Sequence, residues 1–244
     1  INKTGTLTLE PFAGYAITQY GQPTYALSAE AITSDQTITL TKTESGMNGN
    51  NLFANSYMAP IDAKNFTPED FSDYNTDRED IVKTFYIFNS GSWNEWNKYN
   101  TEQSKGSNGN DVPGQYCAVP AFSSKYMNGA EITTLPPMQG IYVIANTNGA
   151  HIHLNYEKHV WNAGTNPKVS TDMHEPMRTP QRLQAEEQMQ QDNFRRIRIQ
   201  LNSANSGADR LYIIQTDETT PLYDNGYDAP NQTVSGLTNI YTTE

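Results

Sequence analysis

His151 and His153 are one residue apart, so on a β-strand both imidazoles stand on one face and offer two ligands of a zinc site. A third ligand would have to come from Glu157, His159 or His174. Without one, the pair reads as solvent-facing histidines, with Ile152 and Leu154 turned to the core. Carboxylates gather at Asp217-Glu218 and again from Asp224 to Asp228. Hard cations such as calcium take oxygen ligands from loops of this kind, so calcium is a possible ligand of a chain otherwise expected to carry no cofactor. The D-x-[DN]-x-[DN]-G spacing is missing around Asp224 and Asp228, and a hydrogen-bonded turn is the simpler account of them. Trp93, Trp96 and Tyr99 alternate with Asn94, Asn97 and Asn100, the composition of a sugar-stacking platform. On a regular strand Trp93 and Tyr99 share one face and Trp96 takes the other, so one Trp goes to the core and the other is either left for a glycan or protein contact or, more simply, packed between sheets.

No catalytic centre is marked. A glycosidase needs two carboxylates at a cleft, and none of the 27 acidic residues is singled out by its surroundings. The G-x-S-x-G, Walker and H-E-x-x-H patterns are absent. Cys117 is the one cysteine, flanked by Tyr116, Ala118 and Val119. It reads as a small core residue on a strand and leaves the fold without an internal disulfide.

The elements that must position these residues are mostly strands. Gln36–Thr41 alternates with period two, as does Thr6–Leu9, while Thr84–Phe88 and Gly140–Ala145 are dense apolar runs. Asn146–Gly149 is a turn by composition, and Ala150–Leu154 reads as the return strand. Arg196–Leu201 places Ile197, Ile199 and Leu201 on one face and is expected to pair with Arg210–Thr216 across Asn202–Gly207. Helix signals are few. Thr67-Pro68-Glu69-Asp70 predicts one or two turns, and Thr179–Gln190 a solvated helix or ordered linker.

With 244 residues and a formal net charge of −11, the chain suits one large domain or two small ones. Its acidity and the lack of a Lys/Arg stripe argue against a nucleic-acid partner. No run of 18 apolar residues exists, so no membrane-spanning helix is expected. The charged fraction of 18% alongside 11% aromatics argues against disorder. The expected fold is all-β: an antiparallel, jelly-roll-like β-sandwich over residues 1–160, a linker over 161–192 and a smaller β unit over 193–244, with few short helices. A three-stranded unit at the end would be marginal alone, so it either packs on the first lobe or continues in a longer chain.

Several blocks resemble a β-rich domain recurrent in large secreted and cell-surface proteins of Bacteroidetes. Gly49-Asn50-Asn51-Leu52-Phe53-Ala54-Asn55-Ser56-Tyr57-Met58-Ala59-Pro60-Ile61-Asp62 is similar to that family's "G-(W)-N-L-(V/I)-G-N-P-Y-x-x-x-I-D" block, and Leu135–Val143 to its "I-P-P-x-Q-G-F-F-V" segment. Gly14-Tyr15-Ala16-Ile17, Arg198-Ile199-Gln200-Leu201 and Tyr223–Ala229 resemble its "G-Y-A-I" strand, "R-L-x-L" strand and "D-x-x-Y-D-A" turn. Ala54 and Ser56 replace the usual Gly and Pro, and Pro230-Asn231-Gln232 stands where a basic residue is common. The motifs look architectural. Gly140 is expected in a turn, and Asn55 and Asp62 are expected to bond local backbone in Asx turns. The resemblance implies an extracellular or surface-displayed structural and adhesion-type module, part of a larger chain and not an enzyme. Glycans or surface proteins would be its partners. A glycan-binding module and a glycan-processing hydrolase are the alternatives.

Overall fold

The computed structural model describes residues 8–15, 26, 28–44, 48–89, 115–126, 133–160, 194–203, 207–232 and 239–243. Their strands, in chain order, are β1 (Gln36–Thr39), β2 (Asn50–Ala54), β3 (Ile61–Asp62), β4 (Ile81–Asn89), β5 (Gln115–Pro120), β6 (Thr134–Leu135), β7 (Gly140–Ala145), β8 (His151–Leu154), β9 (Arg195–Ser203) and β10 (Gly207–Gln215). A four-stranded sheet has the order β2-β7-β4-β5, and the pairs β1–β8, β3–β6 and β9–β10 form three ribbons. Every named pairing is antiparallel. The expected all-β antiparallel architecture is therefore present, and among the described residues the helical turns are short: Ala63–Asn65, Pro68–Asp70, Ser123–Tyr126 and Tyr156–His159.

Period-two alternation decides which side chains meet. Ile141, Val143 and Ala145 of β7 are buried, as are Ile152 and Leu154 of β8. Together with Phe53, Phe85, Ile87 and Val119 from the large sheet and Ile38, Ile61 and Leu135 from the ribbons, they form one continuous core. Phe66 joins the layers, its ring 4.8 Å from Phe85 and 6.0 Å from Phe71. The return strand expected after Asn146–Gly149 does form, but it does not pair with β7. It crosses to β1, with Gln36 opposite Leu154 and Thr39 opposite His151. A hairpin would have put both apolar sets on one sheet; the crossing lets β7 and β8 face each other across the core.

Short strands leave many backbone groups without a ladder partner, and asparagine side chains supply the missing bonds. Asn51 Oδ1 accepts from the Thr41 amide at 2.9 Å while its Nδ2 donates to the Thr41 carbonyl at 2.9 Å. Buried Asn55 accepts from Tyr57 N at 3.0 Å and donates to the carbonyls of Ala59 (3.0 Å) and Leu135 (2.8 Å). Asp62 Oδ1 accepts from Lys64 N, so both expected Asx turns are present. Ser56 Oγ accepts from Phe12 N at 2.8 Å and holds the N-terminal segment to the residues after β2. Gly140 differs from expectation: it opens β7 opposite Ala54. The turn is closed one step earlier by Gln139 N donating to the Pro136 carbonyl, with Met138 in the left-handed region at φ 62°.

The boundary drawn over residues 161–192 falls outside the described residues, as does the helix expected at Thr179–Gln190. The C-terminal segment meets the first lobe directly. Asn225 Oδ1 accepts from Lys83 N and its Nδ2 donates to the Ile81 carbonyl, both at 2.8 Å, on the side of β4 where β5 has not yet begun to pair. Phe122 N donates to Gly226 O at 2.8 Å, and Tyr86 Oη to Pro230 O at 2.8 Å. Gly226 has φ 94°, and a Cβ there would lie 2.5 Å from Phe122 Cδ2. Thr8 and Leu9, expected in a strand, are irregular, and Thr6 and Leu7 lie outside the described residues.

Two substitutions test this scaffold. Asn55→Leu orphans three backbone groups, two of them in buried bonds, and is expected to lower unfolding free energy by about 3 kcal/mol. Gly226→Ala combines an unfavourable φ with the Phe122 clash, for a loss of about 2 kcal/mol. Urea denaturation of each variant checks both; unchanged midpoints would remove the structural roles assigned to these residues.

Candidate functional site

Alternation along β4 sends Phe85 and Ile87 to the core and Tyr86 and Phe88 to the opposite face of the large sheet. There they join residues of β5 and β7 in a row of rings. Tyr86 and Tyr142 lie 5.8 Å apart, Tyr142 and Tyr116 5.8 Å, and Tyr116 and Phe88 5.2 Å. The segment around Pro230 covers Tyr86, whereas Phe88 and Tyr116 are 47% and 39% exposed. Burial, with the Tyr116 hydroxyl nearby, raises the Tyr142 hydroxyl above its ordinary range. The next pair along the strands is Asn89 with Gln115, the point from which residues 90–114 leave and to which they return. That stretch contains Trp93, Trp96 and Tyr99, which lie outside the described residues. Period two on residues 84–88 carried the signal for Phe88; its companion Tyr116 needed the β4–β5 register.

His151 and His153 stand together on the exposed face of β8. His153 Nδ1 is 3.5 Å from Thr37 Oγ1, and its Nε2 is 4.0 Å from Asp35 Oδ2. His159, weighed as a third ligand, is fully buried and stacked on Phe66 at 4.3 Å. Its Nδ1 accepts from Asn155 N at 2.9 Å, which places the proton of the neutral ring on Nε2, facing Asp70 at 3.3 Å. His174 lies outside the described residues. Asp224 and Asp228 serve the turn itself: Asp224 Oδ2 accepts from Thr220 N and Oγ1, and Asp224 N donates to Asp228 Oδ2 at 2.7 Å. Among the described residues, no three His, Cys, Asp or Glu side chains are gathered as metal ligands.

Three charged clusters were not legible in the sequence. Asp70 Oδ2 receives the Thr67 amide (2.7 Å), the Thr67 hydroxyl (3.0 Å) and the Lys158 ammonium (2.7 Å). Burial alone would push the Asp70 carboxyl up, but the His159 ring, Lys158 and the Thr67 amide outweigh it and hold the group well below the usual carboxylate range. Asp73, also buried, accepts from Asp80 N at 3.0 Å and from Lys83 Nζ at 2.8 Å. It lines an open cleft of about 440 Å³ with Tyr74, Asp77, Glu79, Asp224 and Tyr227 among its walls. Of the cleft's carboxylates, Asp73 is neutralised by Lys83 and Asp224 is tied to Thr220. Hydrogen bonds from Lys125, Tyr126 and Tyr227 lower Glu218 to about 2.

The geometry thus defines a β-scaffold with exposed contact surfaces, its buried carboxylates engaged by cations and backbone. Over 248 aligned residues the chain is 30% identical to the minor fimbrium subunit Mfa5 of Porphyromonas gingivalis. The match takes in 96% of this chain but 18% of that protein, so the chain spans less than a fifth of its relative's length. No family model matches the chain, and no solved structure matches it significantly.

The Asp70 cluster sets a pH response. Its folded-state acidity lies below the unfolded value of about 3.9, so its contribution is complete above pH ~5 and fades as the pH falls below ~4. Asp70→Asn is expected to cost about 2 kcal/mol at pH 7, and the gap to the unsubstituted chain should narrow between pH 5 and 2. Urea midpoints measured across that range check this; a gap independent of pH would sink it.

Proposed function

We propose that this chain is a non-catalytic structural and adhesion-type module of a secreted or surface-displayed protein, acting through protein–protein assembly at a bacterial surface. The observation that carries this reading is the match to a fimbrium subunit along nearly the whole chain. The resemblance to the β-rich surface domain of Bacteroidetes belongs to the same proposal. It is supported by the structural tasks found at Asn55, Asp62 and Gly226, residues of the resembling blocks. No helix among the described residues is long and apolar enough to cross a membrane.

A second reading, glycan binding, is favoured by one feature: the exposed Phe88 and Tyr116 rings beside the departure point of the segment with Trp93, Trp96 and Tyr99. Aromatic faces of this kind stack on sugar rings and equally anchor protein contacts.

Antibodies raised against the chain are expected to label intact cells of the source bacterium, and labelling only after lysis would overturn the surface assignment. A glycan array run with and without calcium separates the two readings. Saturable binding that weakens at least tenfold in Phe88→Ala, Tyr116→Ala or Trp93→Ala would establish the glycan module. Calcium dependence lost in Asp224→Asn would turn the 224–228 turn into a site. A blank array under both conditions favours protein assembly, and turnover of any arrayed glycan would refute the non-catalytic assignment.

A further inference from the structure

The β9–β10 ribbon carries an apolar stripe that the described residues leave largely open. Ile197 pairs with Ile213 and Ile199 with Leu211, so all four side chains share one face with Leu201. Ile197 is 59% exposed, Ile213 44%, Ile199 41% and Leu201 40%. The start of the ribbon meets the body through its other face and the residue before it: Arg196 donates to the Tyr126 carbonyl at 3.4 Å, and Phe194, just before β9, meets the Tyr126 ring at 5.0 Å. A two-stranded ribbon is marginal alone, and clustered aliphatic side chains on an exposed face mark a contact surface.

The charges around the stripe indicate what covers it. On the apolar face, Arg195 stands at one end of β9 and Asp209, opposite Leu201, at the other end of the ribbon. Arg198 and Arg210, like Arg196, belong to the opposite face by alternation. The apolar face is therefore bounded by one positive and one negative group at opposite ends. A partner of single charge would satisfy one end and oppose the other, whereas a second copy turned end for end satisfies both. Stacked at the usual ~10 Å between sheets, Ile197 and Ile213 of one copy lie over Ile199 and Leu211 of the other. Arg195 of each copy then stands over the Leu201 end of the other, one strand away from its Asp209.

We infer that this face is a homodimer interface, in which two β9–β10 ribbons close a small four-stranded sandwich between chains. The inference goes beyond the proposed function and does not rest on it. Only two strands from each copy take part, fewer residues than the roughly 20–30 a side of a stable interface, so the dimer is expected to be weak and concentration-dependent.

Sedimentation velocity of the intact chain between about 1 and 500 μM tests the interface directly. The expected result is a reversible shift from monomer to dimer, with modest weakening by salt. Ile197→Lys, on the most exposed position, should raise the dimer dissociation constant at least tenfold, and Ile199→Lys should do the same. Arg195→Glu should weaken dimerisation, and combining it with Asp209→Lys should restore it. Because Asp209 also accepts from Ile240 N at 2.7 Å, thermal unfolding of that variant must show an intact fold before its association is read. A monomer at every concentration overturns the inference, as does a dimer indifferent to both lysine substitutions.

Discussion

A buried peptide group must find a hydrogen-bond partner, and in this chain, where several strands are only two to six residues long, the sheets cannot provide them all. Asparagine meets that demand. Its amide carries a donor and an acceptor in the same arrangement as a peptide bond, so it completes a ladder where a strand runs out. Asn51 does so for Thr41, Asn55 for residues 57, 59 and 135, and Asn225 for the edge of β4. The core depends on these closures because they fix where each short strand starts, and hence which residues point inward. The abundance of Asn in an otherwise ordinary β-protein thus has a structural reason at these three positions.

The same demand ties distant parts of the chain together. Asn225, Gly226 and Pro230 meet residues 81, 83, 86 and 122, more than a hundred positions away in sequence. Charge follows the same logic. In a chain with 27 acidic and 16 basic residues, the buried carboxylates of Asp70 and Asp73 are matched to Lys158 and Lys83. Breaking either pair would strand a buried charge, which costs far more than the intact pair contributes. These clusters belong to the scaffold, and what remains for contact with other molecules lies on outer faces: the Phe88–Tyr116 rings and the β9–β10 stripe.

That separation bears on the likeness to a fimbrium subunit. An assembly protein needs a body that does not rearrange and surfaces that can be changed independently of it. Blocks such as Asn50–Asp62 and Tyr223–Ala229 serve the body here. Kinship read from them therefore speaks to architecture, and the contact surfaces must be judged by their own exposure and chemistry.

The sequence by itself determined the class of the fold, the pairing of β9 with β10 and the Asx turns at Asn55 and Asp62. Each of these rests on local rules: period-two alternation, the composition of a connecting loop, or a side chain bonding backbone two residues on. The partner of β8 was decided only in three dimensions. Strands β7 and β8 have the same pattern, and only the need to face two apolar sets across one core sends β8 to β1. The exposure of Ile197, Ile199 and Leu201 was likewise hidden, because alternation says which side chains share a face and not whether anything covers it. The Asp70–Lys158 and Asp73–Lys83 clusters and the Phe88–Tyr116 surface joined residues from separate strands and loops, and no spacing along the chain encodes such a meeting. Left-handed Met138 in place of Gly140 shows the same limit at a single turn, where the long-range bond from Met138 N to the Asn55 carbonyl holds a backbone that residue type alone would assign elsewhere.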